Sequence, residues 1–330
     1  MGVFYSLSEI RHPFKKAVVT IGNFDGVHVG HKALFDHIKQ LAKEMDGESV
    51  VVTFDPHPLA VVHSASILPP PMINSLEQRL ELVREYGIDH VVVIPFTVEF
   101  SRIRARDFVE GILCRCLGMK AIVIGHDYAF GYKREGNLEL LLRMSEEQDF
   151  RVVRMDAVEF EGERVSSTTI RHLIKQGGME KVRKFLGRPF QMRGKVVPGR
   201  KVGGAVLGFP TANMETGQEI MPGQGVYVVE VILRGKTYAG VCNVGYNPTF
   251  GLERLSVEAY LFDFNENIYG ERIQINFLHK LRNEMKFSSV QELSEQIARD
   301  VEEARAYFGG RSIEAGERTQ RLQAPLSPSN

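Results

Sequence analysis

The sequence predicts an α/β domain followed by an antiparallel β-barrel. From residue 15 to about residue 155, short runs of apolar, β-branched residues alternate with longer stretches of helical periodicity. This alternation is typical of a parallel sheet with helices on both faces. After Gly187-Arg188-Pro189 the pattern changes to short strands separated by Gly, Pro and Asn, which favours a compact barrel. A chain of 330 residues is long enough for two such domains, each with a sizeable core.

Five apolar runs of the first domain are predicted to be buried strands, because they continue without polar alternation. They are Ala17–Ile21, Val50–Phe54, His90–Pro95, Ala121–Gly125 and Val152–Met155. The helices predicted between them are Ala33–Met45, Ser75–Tyr86, Arg106–Leu117 and Leu138–Glu147. Ser75 and Gln78 match a capping box, which indicates a helix start. Ligands of such sheets bind at the carboxyl ends of the strands, near the point where the strand order reverses.

Two short helices, Ser166–Gln176 and Met179–Leu186, are predicted to close the first domain, which therefore comprises residues 1–186. The second domain, residues 187–308, is predicted to contain five barrel strands and one long amphipathic helix, Val290–Phe308. The strands are Phe190–Val197, Gly225–Leu233, Lys236–Asn243, Ser256–Phe262 and Arg272–Leu278. Residues 309–330 lack large aromatic side chains and are rich in polar residues, Gly and Pro, so we predict a disordered tail.

The composition is that of an ordinary globular protein and argues against several classes of partner. Lys and Arg together number 41, as do Asp and Glu, so no net charge draws the chain to nucleic acid or a membrane. Cys114, Cys116 and Cys242 match neither a zinc site nor a disulfide framework, which favours reduced thiols in the cytoplasm. No signal peptide and no apolar run of roughly 18 residues is present. We expect a cytoplasmic protein, a monomer or weak homo-oligomer, that acts on small molecules.

The segment Gly22–His31 lies where the first predicted strand gives way to a helix. Gly22 and Gly26 allow the backbone of this turn to approach a ligand closely. A helix that begins near Val29 directs its free backbone amides towards the same space, and such amides favour phosphate. The segment therefore predicts a phosphate-binding turn.

Two histidines in this segment have a spacing suited to one ligand. His28 and His31 are three residues apart, so both rings can reach one face of the first helical turn. There they can donate hydrogen bonds to phosphate oxygens and stabilise charge that develops in a transition state, while Gly30 leaves room for a nucleotide. A metal-binding pair or two solvated histidines is the alternative interpretation.

These residues resemble the H-x-G-H nucleotidyltransferase superfamily and, within it, the flavin adenylyltransferases. Three further segments are similar to that branch in the same order: Thr53–Pro58, Gly125–Gly131 and Ser166–Arg171. The resemblance implies a Rossmann-like nucleotidyltransferase domain in which these segments contact ATP and flavin. The binding residues that it implies are Gly22, Phe24, Asp25, Gly26, Gly30, His57, Asp127, Phe130, Arg134, Ser166, Ser167, Thr168 and Arg171.

The Ser/Thr-rich segment also has a simpler interpretation. Ser166 or Ser167 can cap the next helix. The remaining hydroxyls, the helix amides and Arg171 are suited to the outer phosphates of ATP.

The reaction that the resemblance implies is attack by a phosphate oxygen of FMN on the α-phosphorus of ATP, which yields FAD and pyrophosphate. The attacking oxygen is already anionic, so no catalytic base is needed. In-line positioning, Mg²⁺ and hydrogen bonds to the developing charge would account for the rate. We therefore expect His28 and His31 to act as charge stabilisers and not as proton acceptors.

The second domain carries residues suited to phosphorylation of an alcohol, a reaction that needs a base and a hard cation. Thr211 and Asn213 offer oxygen ligands for Mg²⁺, and at alternate positions of an extended segment they share a face. Glu258 lies inside an apolar strand, where an isolated carboxylate is costly unless it is exposed or partnered. An outward-facing Glu on an ordinary strand is the alternative.

The order and spacing of these segments resemble riboflavin kinase. The segments concerned are Leu207–Asn213, Asn243–Phe250, Ser256–Phe264, Tyr269-Gly270 and Leu281–Phe287. The resemblance implies that Thr211 and Asn213 bind Mg²⁺ and ATP phosphates, that Glu258 is the base for the ribityl 5′-hydroxyl, and that riboflavin, FMN and FAD are substrates or products. It also implies binding roles for Gly208, Pro210 and Arg282. From residue 15 to 308 the chain resembles the bifunctional riboflavin kinase/FAD synthetases of bacteria.

One segment departs from that pattern. The family usually has Gly-Arg-x-Leu-Gly before Phe-Pro-Thr-Ala-Asn, whereas Gly203–Gly208 lacks the Arg. Arg200 or Lys201 can supply the charge, and glycine amides can still surround phosphate. Three alternatives to a fully bifunctional enzyme therefore stay open. They are an FAD synthetase with an impaired kinase domain, a flavin-binding regulatory paralogue, and a nucleotidyltransferase for another phosphorylated substrate.

Overall fold

The computed structural model describes residues 1–62, 69–199, 209–249 and 252–309, with backbone only at 246–249 and 252–255. The chain divides into two units. The first comprises Met1–Arg171 with Phe185–Gly187, and the second comprises His172–Lys184 with the described residues from Arg188 onward. The sequence places His172–Lys184 in the first domain, whereas its contacts group it with the second unit.

The first unit contains a six-stranded sheet with the order β1-β4-β3-β2-β5-β6, in which every neighbouring pair is parallel. The strands are β1 (Gly2–Phe4), β2 (Ala17–Ile21), β3 (Ser49–Asp55), β4 (His90–Pro95), β5 (Met119–Gly125) and β6 (Arg151–Met155). The five predicted strands are confirmed. The edge strand β1 was not predicted, because three residues are too few to show periodicity.

Helices connect these strands. They are α1 (Val29–Met45), α2 (Pro58–Val62), α3 (Leu76–Glu85), α4 (Ala105–Asp107) and α5 (Leu138–Gln148). The predicted helices Ala33–Met45, Ser75–Tyr86 and Leu138–Glu147 are confirmed, whereas α2 was not predicted. The predicted capping box is confirmed: Ser75 Oγ accepts from Gln78 N at 3.2 Å, and Gln78 Oε1 accepts from Ser75 N at 3.0 Å. The helix predicted over Arg106–Leu117 differs, because α4 continues as a π-helix over Phe108–Cys116.

Both faces of the sheet are buried under helices, as predicted. Ala17 and Val19 of β2 face one apolar cluster that includes Leu113 of the π-helix. Val18 faces the opposite cluster, which includes Phe35 of α1. Alternate residues of one strand thus support two cores, which explains why its sequence is apolar throughout.

A short antiparallel hairpin, β7 (Glu159–Phe160) and β8 (Glu163–Arg164), follows the sheet. Two helices come next, α6 (Ser167–Gln176) and α7 (Met179–Leu186). Their bounds agree with the predicted ones within one residue.

The second unit is a closed antiparallel barrel with the strand order β10-β13-β12-β11-β14-β9. The strands are β9 (Phe190–Val197), β10 (Ala212–Glu215), β11 (Gly225–Leu233), β12 (Lys236–Thr249), β13 (Leu252–Leu261) and β14 (Arg272–Arg282). The long helix α8 (Val290–Gly309) packs through Ala304 against Val226 and Val241 on the outer surface of the barrel. The predicted barrel and terminal helix are confirmed. The four-residue strand β10 was not predicted, and the predicted tail at 310–330 lies outside the described residues.

Candidate functional sites

The strand order places the predicted phosphate-binding turn at the topological switch point of the sheet. Strands β2 and β5 are neighbours, and the chain moves away from them in opposite directions: β3 and β4 follow β2 on one side, and β6 follows β5 on the other. The segments after β2 and β5 therefore leave the same edge of the sheet side by side. This is where open parallel sheets bind ligands.

The turn after β2 has an unusual backbone. Phe24, Gly26 and Val27 have φ angles of 48°, 83° and 40°, in the left-handed region. Glycine adopts this conformation readily, but a β-branched valine does so only under strain. A Cβ added at Gly22 would lie 3.2 Å from the Phe24 ring, so the missing side chain makes room for that ring. The shape of the turn therefore depends on contacts made elsewhere.

His28 and His31 form a reciprocal cap at the start of α1. His28 Nδ1 accepts from His31 N at 3.3 Å, and His31 Nδ1 accepts from His28 N at 3.4 Å. The rings stack with centroids 3.6 Å apart, and a Cβ at Gly30 would lie 3.1 Å from the His28 ring. Because each Nδ1 is an acceptor, each neutral ring carries its proton on Nε2. The cap thus fixes two Nε2–H donors beside the switch point.

Asp25 lies in the same turn, but its carboxylate is only 2% exposed. Oδ1 accepts from Ile73 N at 2.8 Å and from Asn74 N at 3.2 Å, while Oδ2 accepts from Arg171 Nη2 at 2.6 Å. The backbone oxygen of Asp25 accepts from Ser167 Oγ at 2.8 Å. Burial raises the pKa of the carboxyl, and the charge and hydrogen bonds of its partners oppose that shift.

The start of α6 combines a helix cap with a cation. Ser166 Oγ accepts from Thr169 N at 3.1 Å, which confirms the predicted cap, and the Thr168 side chain is exposed. Arg171 donates from Nε to Pro71 O at 2.9 Å, in addition to its bond with the carboxylate of the turn. Two nitrogens of its guanidinium are therefore fixed by the protein.

His57, in the segment after β3, lies next to the same turn. Its Nδ1 accepts from Leu59 N at 3.1 Å, so the neutral ring carries its proton on Nε2. That nitrogen lies 2.9 Å from Asn23 Nδ2; with the proton on His57 Nε2, the ring donates to Asn23 when the amide is turned so that Oδ1 takes this position. The ends of β2 and β3 are thereby joined by side chains.

Arg79 is a buried cation behind this turn that sequence reasoning missed. Its side chain is 4% exposed, and Nη1 donates to Asn23 O at 2.7 Å and to Thr53 Oγ1 at 3.2 Å. Nη2 lies 3.5 Å from Phe54 O and 3.7 Å from Asp55 Oδ1. Arg79 thus ties the carboxyl ends of two adjacent strands together and places a positive charge close to the site.

Asp127, in the segment after β5, pairs with the hairpin. Its Oδ2 accepts from Arg164 Nη2 at 2.6 Å, and His126 Nδ1 lies 4.0 Å from its Oδ1. Partial burial raises the pKa of Asp127, but the hydrogen bond and charge of Arg164 outweigh that effect, and the pKa is lowered. The carboxylate therefore stays ionised and connects the hairpin to the switch point.

The rest of this segment forms a small aromatic cluster. Phe130 is buried, stacks on Tyr128 with centroids 5.4 Å apart and lies 5.9 Å from Phe108. Phe130 and Gly136 exchange backbone hydrogen bonds of 3.0 and 2.8 Å. Arg134 has a φ of 59°, and its side chain is exposed to solvent. Of the predicted binding residues in this segment, Phe130 is therefore part of the core, while Arg134 faces outward.

On the barrel, three polar side chains lie in one row across adjacent strands. Glu258 of β13 pairs directly with Asn213 of β10 on one side and with Asn243 of β12 on the other. Directly paired residues share a face, with Cβ atoms about 5 Å apart. Val257 and Ala259 face the other way and are buried, whereas Glu258 is half-buried. Asn243 was not among the predicted site residues.

The Pro-Thr-Ala-Asn segment leads into this row. Ala212 is buried, so Thr211 and Asn213 on either side of it face the outer surface together, as their alternate spacing predicts. Phe209 packs edge-on against Tyr260, two residues beyond Glu258 on the same face, with centroids 5.4 Å apart. The structure thus brings Thr211, Asn213 and Glu258 to one surface.

Close approach of a second loop is visible at Asn213. A Cβ added at Gly199 would lie 2.1 Å from Asn213 Nδ2, so a larger residue there would displace the Asn213 side chain. Pro210 is exposed. Gly208 and the divergent Gly203–Gly208 segment lie outside the described residues, and the predictions made for them stay predictions.

Arg282 extends the same row but is held by the long helix. It pairs with Val226, which in turn pairs with Asn243, so two strand spacings separate Arg282 from Asn243. Its Nε donates to Asp300 Oδ1 at 2.8 Å and its Nη2 to Asp300 Oδ2 at 2.8 Å. This bidentate pair anchors α8 to the barrel. Among the described residues, no group of three His, Cys, Asp or Glu could hold a metal ion.

The turn after β2, predicted to bind phosphate, and the row of Asn213, Glu258 and Asn243 on the barrel are two separate candidate sites. Comparison with family models agrees with this division. The FAD synthetase model matches residues 10–169, and the riboflavin kinase model matches residues 186–308. One match thus lies in the first unit, and the other comprises the whole barrel and α8 up to residue 308.

Relatives align over nearly the whole chain. The bifunctional riboflavin kinase/FMN adenylyltransferase of Buchnera aphidicola subsp. Schizaphis graminum is 35% identical and covers 90% of this chain and 97% of its own. The enzyme of the same name from Haemophilus influenzae is 36% identical, and the alignment covers 93% of this chain and 99% of that enzyme. The chain therefore belongs to the family of bifunctional riboflavin kinases/FMN adenylyltransferases.

A solved structure supports the fold. A Streptococcus pneumoniae protein described as a macrolide-efflux protein matches with a TM-score of 0.83 and 32% identity, and covers 92% of this chain and 98% of its own. In the part of the present chain that the structure describes, no helix is long and apolar enough to cross a membrane.

Proposed function

We propose that this chain converts riboflavin to FAD in two ATP-dependent steps at two sites. The chain is a bifunctional enzyme with riboflavin kinase and FMN adenylyltransferase activities, and riboflavin, FMN, FAD and ATP are its substrates and products. The observation that carries the assignment of residues is that each family region holds its own polar set. His28 and His31 lie at the switch point, and Asn213, Glu258 and Asn243 lie on the barrel.

In the kinase step, Glu258 accepts the proton of the ribityl 5′-hydroxyl as that oxygen attacks the γ-phosphorus of ATP. A carboxylate is the right group, because a hydroxyl is a poor nucleophile until its proton is removed. Asn213 and Asn243 pair directly with Glu258 on either side, so their amides lie on the same face as the carboxylate. Amide N–H groups at these positions are suited to donate to a half-buried carboxylate, which would offset the cost of its burial.

In the adenylyl-transfer step, the FMN phosphate is already an anion, and the protein supplies position and charge stabilisation. The two Nε2–H donors set by the reciprocal cap of His28 and His31 are suited to the oxygens of the α-phosphate. The start of α6 and Arg171 are suited to the outer phosphates that leave as pyrophosphate.

We assign Mg²⁺ to the kinase site, where Thr211 and Asn213 provide neutral oxygen ligands. Mg²⁺ is commonly bound through substrate phosphates and only one or two protein groups, which fits the small donor set of this surface. When bound, it neutralises phosphate charge. We also propose that the enzyme acts in the cytoplasm as a monomer or weak homo-oligomer, which agrees with its three free cysteines.

A time course with riboflavin, ATP and Mg²⁺ tests the proposal, with the three flavins separated by chromatography. FMN should appear first and then decline as FAD accumulates. Riboflavin left unchanged while added FMN becomes FAD would show that the divergent Gly203–Gly208 segment has disabled the kinase. If neither flavin is converted, the enzymatic proposal is wrong.

A further inference from the structure

Asp25 occupies the middle of the phosphate-binding turn, yet its carboxylate points into the protein. At 2% exposure, both oxygens are within 3.2 Å of protein donors. A carboxylate in this state is a poor ligand for a nucleotide, because contact with phosphate would add charge repulsion to the loss of existing hydrogen bonds. Its function must therefore be sought in the groups that it holds.

Those groups come from two other segments of the first unit, the one before α3 and helix α6. Oδ1 holds the backbone amides of Ile73 and Asn74, Oδ2 holds the guanidinium of Arg171, and the backbone oxygen holds the hydroxyl of Ser167. Residues 71–74 also take part through Pro71 O, which accepts from Arg171 Nε at 2.9 Å. One aspartate thus joins the turn after β2, the segment before α3 and the first turn of α6.

The turn that contains Asp25 and the guanidinium of Arg171 have different roles in the proposed adenylyl transfer. The turn that contains Asp25 leads directly to His28 at the helix cap, and its left-handed residues do not hold that shape by themselves. Arg171 would face the outer phosphates, and a flexible guanidinium must lose rotamer freedom to bind them. A salt bridge at 2.6 Å, with a second donor fixed to a carbonyl, removes that freedom before ATP binds.

We infer that Asp25 is a positioning residue that orients Arg171 towards the outer phosphates of ATP and fixes its distance from the His28–His31 pair. Asp25 itself does not contact the nucleotide. This inference rests on the proposed FMN adenylyltransferase activity of the first site. It predicts that loss of Asp25 acts through Arg171 and weakens the binding of ATP and pyrophosphate, with little effect on FMN.

A double-mutant cycle tests this dependence directly. Asp25→Asn, Arg171→Met and the double variant are compared for FMN adenylylation, with separate KM values for ATP and FMN and, in the reverse direction, for pyrophosphate. We expect Asp25→Asn alone to raise the KM of ATP and pyrophosphate about 10-fold or more, as for loss of a charge-assisted hydrogen bond, and to leave the KM of FMN within about 2-fold. In the Arg171→Met background, Asp25→Asn should change these values by less than about 3-fold.

The inference would be overturned if Asp25→Asn raised the KM of ATP and pyrophosphate by the same factor in the wild-type and Arg171→Met backgrounds. Asp25 would then act independently of Arg171. A selective rise in the KM of FMN would overturn it as well. Ser167→Ala is the matched control: its hydroxyl binds the backbone oxygen of Asp25 and leaves the carboxylate pair intact. We expect it to show no such dependence on the Arg171→Met background.

Protein folding is monitored by the thermal unfolding transition of each variant, because riboflavin kinase activity belongs to the second unit and would not report on the first. Asp25→Asn leaves a buried guanidinium without its carboxylate, so this variant can fail to fold. The double variant removes both charges, and its comparison with Arg171→Met then decides the question: equal kinetics support the inference and a further large loss overturns it. If the wild-type chain does not convert FMN to FAD at all, the proposed function fails first.

Discussion

The two sites of this chain are built in opposite ways. The proposed adenylyl-transfer site depends on an irregular turn with three residues in the left-handed region, held from behind by Asp25, Arg79 and Ser167. The proposed kinase site depends on the pairing of regular strands, which puts Asn213, Glu258 and Asn243 in one row. The geometry of the first site is therefore set by buried side chains, and that of the second by backbone hydrogen bonds.

This difference has a consequence for substitutions. A side chain that shapes an irregular turn cannot be replaced without moving the turn, because the strained backbone has no ladder to keep it in place. A side chain on a regular strand can be changed while its neighbours stay in register. Substitutions on the barrel should thus report on chemistry, whereas substitutions behind the turn also report on geometry. Four predictions sharpen this comparison, from the largest expected effect to the smallest.

The largest effect is expected for Glu258→Gln. The amide has the same size but accepts no proton from the ribityl hydroxyl, so FMN formation from riboflavin should fall by about 10³-fold. Conversion of added FMN to FAD should stay within about 2-fold, since that reaction needs no base. Initial rates of both half-reactions provide the measurement.

Glu230→Gln is the matched control for this variant. Glu230 is another half-buried glutamate on a barrel strand, with its Oε2 3.5 Å from Asn276 Nδ2. We expect it to leave both activities nearly unchanged. Equal losses from the two variants would show that any glutamate on the barrel strands matters and that Glu258 has no special role.

His28→Asn is expected to reduce FAD formation by about 10²-fold, comparable to the removal of one preorganised donor at a developing charge. Asparagine is among the best N-cap residues, so α1 should keep its cap while the Nε2–H donor is lost. Riboflavin kinase activity should not change. Full adenylylation activity in this variant would assign the histidine to helix capping alone.

Asn243→Ala is expected to have an intermediate effect. Asn243 pairs directly with Glu258 in the strand register, so we expect its amide to help position the carboxylate. Its removal should lower kinase kcat about 10-fold, the effect of losing one hydrogen bond to a charged group. Asn276→Ala, on strand β14, which β11 separates from β12, is the matched control and should keep normal kinetics. A result for Asn243→Ala equal to that control would remove Asn243 from the site.

The smallest effect is expected for Ser166→Ala. Loss of the hydroxyl that caps α6 should lower the free energy of unfolding of the surrounding region by about 1 kcal/mol. Hydrogen exchange at the Thr169 amide is the most local measurement, and exchange there should become faster. Thr168→Ala, at the exposed neighbouring position, should leave that exchange rate unchanged.

The fold could largely be predicted from the sequence because its elements have clear periodicity. The bounds of β2, β4, β9, β11 and α7 agree residue for residue with the prediction. The π-helix over Phe108–Cys116 could not be predicted, because its pattern differs from an α-helix only in the hydrogen-bond register. Strand β10 is too short to show alternation, and it pairs with residues far away in the sequence.

The sites were harder to predict than the fold, because they depend on register and on what lies behind each loop. Asn243 enters the kinase row only through the pairing of β12 with β13, which no local pattern reveals. Arg79 could have been found: with Leu76, Leu80 and Val83 it shares the apolar stripe of α3, where a cation needs a buried partner. Only the structure could show that both carboxylate oxygens of Asp25 accept hydrogen bonds from the protein itself.

The central claim is that each site performs one half-reaction independently of the other. Glu258→Gln and His28→Asn should each fail to produce FAD from riboflavin, the first for lack of FMN and the second with accumulation of FMN. Mixed in one tube with riboflavin, ATP and Mg²⁺, the two variants should restore FAD formation, because FMN released by one is a substrate of the other. Mixed variants that each retain their remaining half-reaction but yield no FAD would contradict the account.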